Sequence, residues 1–225
     1  MKPFWALIKK DLALEFRTKE TFVLMLTLSL LLAVVVSCGV SSAFLDAATV
    51  EKCFPVFVWL TFIFSATVSI GRSYEYELEH MGIEGLIQAG ASAYQIYFSK
   101  VLSNFSIVFV GHCFTVCALS VLLDVEVLPI LAELMLLSVF VIAAYSALST
   151  ILAAMSSTSR LKNMLLPLIL LPLLFPIFFG ALETTSHLLA YKSIDFQSLW
   201  FSLLIGLNVV YIVLGINLYD FVIKE

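Results

Sequence analysis

The chain has 225 residues, of which 62% are hydrophobic and 12% are charged, and its formal net charge is −4. Soluble domains carry about 25% charged residues, and a soluble core of this length could not bury so much apolar surface. The composition therefore excludes an ordinary soluble protein and predicts one that is embedded in a lipid bilayer. We expect no nucleic-acid partner.

The first twenty residues predict an amphipathic helix. Phe4, Ile8, Leu12 and Phe16 recur every four residues, and most of the charged side chains fall elsewhere around the helix. A helix with an apolar stripe and a basic polar side is suited to lie in the plane of the membrane interface. Because charged residues interrupt this region, we do not expect it to be a cleavable signal sequence.

Six apolar runs follow, and each reaches or approaches the roughly 20 residues that a helix needs to cross about 30 Å of hydrocarbon. They are expected to be helices because backbone groups in lipid must bond within their own segment. The fold is therefore predicted to be all-α, as a single transmembrane domain over residues 1–225. We place the spans near residues 21–45, 53–71, 101–123, 128–155, 163–182 and 199–219.

The distribution of basic residues predicts the orientation. If the N-terminus is cytoplasmic, only Lys52 and Lys192 of the 12 lysines and arginines lie outside. Such an excess of basic residues marks the cytoplasmic side. Both termini and the polar segment 72–100 are therefore predicted to be cytoplasmic. Residues 46–52, 124–127 and 183–198 would form the outer loops, and only the last could hold a small helix.

The chain contains none of the common catalytic or nucleotide-binding motifs. There is no G-x-x-x-x-G-K-[ST] phosphate loop, no H-E-x-x-H and no G-x-S-x-G. We expect no catalytic residue, no metal site and no enzyme activity in this chain. The roles of His112, Glu133 and His187 are open. The plain interpretations are a hydrogen-bonded bundle histidine, an interfacial carboxylate and a solvated loop histidine. A role in a transport path is the alternative for His112 and Glu133, and ligation of a haem iron is the alternative for His187.

The segment 72–100 is the longest polar interruption of the apolar sequence. Its start continues the second span as a helix, Gly82 breaks that helix, and Gly90 occupies a typical helix-ending position. Ser92-Ala93-Tyr94-Gln95 fits a capping box, so a new helix is expected to begin there and to enter the third span.

Between the glycines, residues 83–89 predict a short helix. Ile83, Leu86 and Ile87 share one face, and Glu84 adds an acidic group. An apolar helical face is suited to dock in a groove of another protein. The alternative is a loop that dips Leu86 and Ile87 into the lipid headgroups.

Three prolines mark the fifth span, at Pro167, Pro172 and Pro176. Each removes a backbone donor and crowds the preceding turn, so the sequence predicts a kinked helix. Carbonyls freed in this way are tolerated where protein or a cavity satisfies them. A transport pathway and a packed kink between neighbouring helices both fit this pattern.

Three short patterns and the overall length suggest a family. The patterns are Lys10-Asp11-Leu12-x-x-Glu15-x-Arg17, Glu79-x-x-Gly82-x-Glu84-x-Leu86 with Lys100 sixteen residues after Glu84, and Pro172-x-x-x-Pro176. Together with the helix pattern, they resemble the membrane subunits of ABC-2 type ABC transporters and, among them, the haem exporter protein B (CcmB) family of cytochrome c maturation. The chain departs from this family after the short cytoplasmic helix, where the family commonly has prolines and this chain has Gly90 and Ser92.

The resemblance implies a permease subunit of the bacterial inner membrane, paired with a second permease. It also implies a cytoplasmic ATPase that binds ATP, a haem-handling membrane partner and a haem chaperone, with haem as possible cargo. No haem ligand is assigned in this chain. The implied moving helix contains Pro167, Pro172 and Pro176, and the residues implied for coupling to the ATPase are Glu79, Gly82, Glu84, Gly85 and Leu86.

Two other functions stay open at this point. One is an ABC-2 permease for a different substrate, such as a lipid, a glycan or a drug. The other is a membrane scaffold that transports nothing and holds a maturation complex together.

Overall fold

The computed structural model describes residues 2–79, 90–157 and 162–224. The regular structure within these ranges is helical, which confirms the all-α prediction. The helices are α1 (Lys2–Thr18), α2 (Glu20–Ser42), α3 (Ala47–Glu79), α4 (Ala93–Leu123), α5 (Leu131–Ser157), α6 (Lys162–Tyr191) and α7 (Leu199–Lys224), with a 3-10 turn at Leu128–Ile130.

Within the described residues, six helices are long and apolar enough to cross a membrane, which confirms the predicted number of spans. The candidate spans are Glu20–Ser42, Ala47–Gly71, Ala93–Leu123, Leu128–Met155, Ile169–Tyr191 and Leu199–Tyr219.

The prediction for the fifth span was wrong at its end. The span was placed at residues 163–182, whereas α6 continues to Tyr191. The hydroxyls of Thr184 and Thr185 do not end the helix because both residues are buried against the bundle. The predicted outer loop 183–198 and its possible separate helix therefore reduce to a connection over residues 192–198.

Helix α5 lies at the centre of the bundle and packs against α4, α6 and α7, while α3 packs against α2, α4 and α6. The buried faces of α3 and α5 carry many hydroxyl side chains, which permit close approach of helices in lipid. Several of these hydroxyls donate to a carbonyl one turn earlier. The Ser65 hydroxyl donates to the Thr61 carbonyl at 2.8 Å, and the Ser138 hydroxyl donates to the Leu134 carbonyl at 2.7 Å. These hydroxyls are therefore hydrogen-bonded within their own helices.

Helix α1 follows the predicted amphipathic pattern only in part. Ile8 is buried as expected, whereas Phe16, at the other end of the same predicted stripe, is 77% exposed. The helix packs mainly against α4 and much less against α2. Its apolar side is therefore shared between the bundle and the surroundings, as expected for an interfacial helix.

Asp46 begins α3 outside the spans. Its carboxylate accepts hydrogen bonds from the Thr49 hydroxyl at 2.6 Å and from the Thr49 backbone N–H at 3.3 Å, which is the geometry of a helix N-cap. The bond from the Thr49 hydroxyl lowers the pKa of Asp46 below its ordinary value.

Candidate functional site

The structure describes the two helices that hold the predicted coupling segment. Gly82, Glu84, Gly85 and Leu86 lie outside the described residues, and Glu79 is described only by its backbone at the end of α3. The roles of these five residues stay predictions. The start of α4, on the other side of the segment, is described in full and forms the candidate site.

The start of α4 has the predicted geometry. Gly90 has a φ of 80°, the left-handed conformation that a helix-ending glycine adopts. Ser92 is the extended N-cap residue, and its backbone N–H donates to Oε1 of Gln95 at 3.2 Å. The capping box predicted from the sequence is therefore confirmed, and it sets the point at which the chain turns back into the bundle.

An ion pair fixes α1 to α4 two turns further on. Nζ of Lys100 lies 3.3 Å from Oδ2 of Asp11, and the two side chains are 6% and 10% exposed. Nζ of Lys10, which is 42% exposed, lies 2.9 Å from the other carboxylate oxygen. Because a buried charge without a counter-charge costs several kcal/mol, these contacts hold the interfacial helix against the base of α4.

Tyr97, also at the start of α4, connects this helix to α5 and α7. Its buried hydroxyl donates to the Ala147 carbonyl at 3.4 Å, and its ring centroid lies 5.3 Å from that of Tyr219. Gly215 leaves the space for this ring, since a Cβ at that position would overlap the phenol. One turn beyond Lys100, Nδ2 of Asn104 donates to the Thr150 hydroxyl of α5 at 3.1 Å.

Glu15 fixes the joint between α1 and α2. Its Oε1 accepts the backbone N–H of Phe22 at 2.7 Å and so caps the first turn of α2 from the preceding helix. Lys19 separates the two helices with a φ of 57°, a left-handed conformation. The Ser69 hydroxyl of α3 donates to the Thr21 carbonyl at 2.9 Å, which ties this joint to the helix that leads into the predicted coupling segment.

The three prolines lie within one uninterrupted helix, α6. The carbonyl of Leu173, in the turn before Pro176, accepts a hydrogen bond from the Tyr211 hydroxyl at 2.8 Å. The carbonyl that Pro176 deprives of its helical donor is that of Pro172, four residues earlier. The Tyr211 bond is therefore an additional contact between α7 and the adjacent carbonyl of α6. Pro172 lines a lipid-facing groove between α3 and α6. The side chain of Pro167 is not described, and movement of this helix stays a prediction.

His112 is fully buried in the centre of the bundle. Its Nε2 lies 3.0 Å from the Ser138 hydroxyl, and its ring stacks on Trp59 with centroids 5.1 Å apart. Trp59 in turn donates from Nε1 to the Thr185 hydroxyl at 2.9 Å. This confirms the interpretation of His112 as a hydrogen-bonded bundle histidine. No local signal in the sequence pointed to Trp59 as the neighbour of His112, or to Thr185 as the partner of Trp59.

The two remaining ionisable candidates lie near the ends of their helices. Glu133 lies in the first turn of α5 and is partly exposed. His187 stacks against Tyr191 with ring centroids 4.4 Å apart, and its Nδ1 lies 3.3 Å from the Ser193 carbonyl.

These features define the class as a multi-pass, all-α membrane protein whose interfacial helix is held on the bundle by buried charges. The family model described as CcmB protein matches residues 2–219, and the chain belongs to this family. The family is the membrane component of the haem-export ABC system of cytochrome c maturation, and it implies association with an ATPase and with other components of that system. No curated protein matches the chain.

Proposed function

We propose that the chain is the permease subunit that couples ATP hydrolysis by a separate ATPase to haem export, or to release of a haem-loaded chaperone. The observation that carries the coupling step is the buried Asp11–Lys100 pair at the base of α4. The ATP site belongs to the partner, and the chain itself is not an enzyme. It acts in the bacterial inner membrane, with both termini cytoplasmic and with a second permease beside it.

The contacts around α4 support this coupling. The segment between Glu79 and Gly90 connects the end of α3 to the start of α4. A partner that displaces this segment acts directly on the first turns of α4. These turns are bonded to α1 through Lys100 and packed against α5 and α7 through Tyr97. Displacement of α4 therefore moves contacts with three other helices, through side chains that touch one another.

The experiment that tests the proposal is Glu84→Arg. If Glu84 docks on the ATPase, reversal of its charge should lower ATPase co-purification and ATP-dependent cytochrome c assembly by about tenfold or more, the scale of an interface hot spot. Glu126→Arg is the matched control, because Glu126 is exposed in the connection that follows α4, at the opposite end of that helix.

Normal assembly by the Glu84→Arg variant would contradict the coupling model. If assembly also proceeds normally with an ATPase subunit that cannot hydrolyse ATP, the scaffold function is the better explanation. An ABC-2 permease for another substrate would be indicated by normal cytochrome c assembly in cells that lack this chain.

A further inference from the structure

A groove opens where α1, α2 and α4 meet, and its volume is about 570 Å³. This lies within the range of roughly 300–1,000 Å³ that is typical of small-molecule sites. We call it the joint groove. Its lining is apolar except for one hydroxyl, one acidic and one basic side chain, and consists of Leu12, Glu15, Phe16, Lys19, Phe22, Val23, Leu26, Ser106, Ile107 and Val110.

The groove follows from the joint between the first two helices. The left-handed backbone of Lys19 separates α1 from α2, and α1 then packs mainly on α4. The wedge between α1 and α2 is therefore left open, with Ile107 and Val110 of α4 among its lining. Glu15 spans the wedge at one point only, where it caps Phe22.

Lys19 gives the lining of the groove a positive charge. Lys19 is exposed, and its ammonium makes no ion pair with a side chain that the structure describes. Arg17 is exposed nearby in the last turn of α1. The acidic residue of the lining, Glu15, is engaged with a backbone N–H at 2.7 Å. The joint groove, with its apolar lining and the Lys19 ammonium beside it, is complementary to an amphiphile that has a negatively charged headgroup.

The surroundings of the groove favour a lipid over a soluble ligand. Trp5 and Phe16 on α1 are 62% and 77% exposed, as in a helix that lies in the membrane interface. Val23 and Val110, which line the groove, are each about half exposed within membrane-spanning helices. The opening therefore faces acyl chains, with the two cations near the start of α2.

We propose that the joint groove binds one anionic phospholipid, with an acyl chain along Phe22, Ile107 and Val110 and its phosphate paired with Lys19. The lipid fills the wedge and so supports α1 in the position that the Asp11–Lys100 pair requires. This site is independent of the proposed coupling function, because a lipid could occupy it whether or not the chain couples to an ATPase.

The test uses the intact complex in bilayers that contain equal amounts of phosphatidylglycerol and phosphatidylcholine. After mild detergent release, native mass spectrometry counts the lipids that the permease retains. We expect one retained phosphatidylglycerol, preferred about fivefold over phosphatidylcholine, which corresponds to about 1 kcal/mol for one basic side chain at a membrane surface. Lys19→Glu should abolish this preference.

Two matched controls separate the site from general lipid contact. Lys192 is also exposed and has a φ of 56°, so Lys192→Glu makes the same change at an equivalent backbone conformation and should leave the preference intact. Val110→Trp should fill the groove and displace either lipid. Val209→Trp, on an equally exposed position of α7, should not.

Three results would overturn the proposal. Equal retention of both lipids by the unaltered protein would show that the retained molecules are annular lipid and that the groove has no preference for an anionic headgroup. Equal effects of Lys19→Glu and Lys192→Glu would show that Lys19 has no special role. A cysteine at Val110 that cross-links to a partner subunit, in a complex that retains no lipid, would assign the groove to a protein helix.

Discussion

The Asp11–Lys100 pair can be tested by removing its charges singly and together. The variants are Asp11→Leu, Lys100→Met and the double variant. Each single change leaves the remaining charge in the same buried position with one fewer counter-charge. The double change replaces both charges by apolar side chains, which suit a contact between two helices.

The burial of the two side chains gives the expected size of the effect. They are 10% and 6% exposed, so both charges are largely removed from water. Loss of one partner of a buried pair costs about 3–5 kcal/mol, whereas replacement of both by apolar residues is often neutral or stabilising. Lys10 lies 2.9 Å from Asp11 in the unaltered protein and supplies a second counter-charge to Asp11. We therefore expect Lys100→Met at the lower end of that range and Asp11→Leu at the upper end.

The assay is unfolding of the purified protein in mixed micelles by titration with a denaturing detergent. The double variant should recover most of the stability that the single variants lose. If the double variant instead loses as much as the two single variants added together, the side chains act independently and our account of the α1–α4 contact is wrong. Recovered stability without recovered cytochrome c assembly would show that the charges also serve function.

Three further outcomes are expected. A single cysteine placed at Ser92 in a chain without its native cysteines should react with an impermeant reagent only from the cytoplasmic side. Tyr211→Phe should lower stability by about 1 kcal/mol, because the hydrogen bond between the Tyr211 hydroxyl and the Leu173 carbonyl is lost. Asp46→Ala should lower the melting temperature at pH 7 and lose this effect in acid. The pKa of Asp46 is depressed by Thr49, so its contribution is present above the ordinary value of 3.8 and is lost as the pH falls through the lower folded-state pKa.

Each of these outcomes has a control. A cysteine at Asp195, in the connection between α6 and α7, should react from the opposite side to Ser92, and labelling of both from one side would contradict the topology. Tyr191→Phe alters a tyrosine that is 69% exposed. If it lowers stability as much as Tyr211→Phe does, the buried Tyr211 hydroxyl has no specific role. Asp46→Asn keeps a capping oxygen and should retain much of the stability, so a loss equal to that of the alanine variant would contradict the N-cap.

The number of spans and the helical class were predictable because lipid leaves few options for a long apolar segment. The error at the end of the fifth span occurred where a polar side chain is buried by a partner. Thr185 donates to its own helix and accepts the indole N–H of Trp59, so it does not end α6. A hydropathy pattern registers such residues as boundaries, because it contains no information about the neighbouring helix.

The candidate site was predictable where its geometry is local. The capping box at Ser92 depends on residues a few positions apart and is confirmed. Gly90 has the left-handed φ typical of a helix-ending glycine, and the helix that it is predicted to end lies outside the described residues. The contact between Asp11 and Lys100 depends on which helices become neighbours, so short-range patterns could not predict it. Both residues were present in the motifs that resemble the family, but only the fold brings them together.

The length of α3 has a mechanical consequence. Its 33 residues form one helix from Ala47 to Glu79, which at 1.5 Å per residue is about 50 Å long. Trp59 anchors it to α6, and about 30 Å of helix extend from that anchor to Glu79. Rotation of this lever by about 10° around the anchor moves its tip by about 5 Å, close to one helical turn. An angular change small enough to preserve the Trp59–Thr185 hydrogen bond therefore becomes a displacement large enough for a docked protein to detect or to impose.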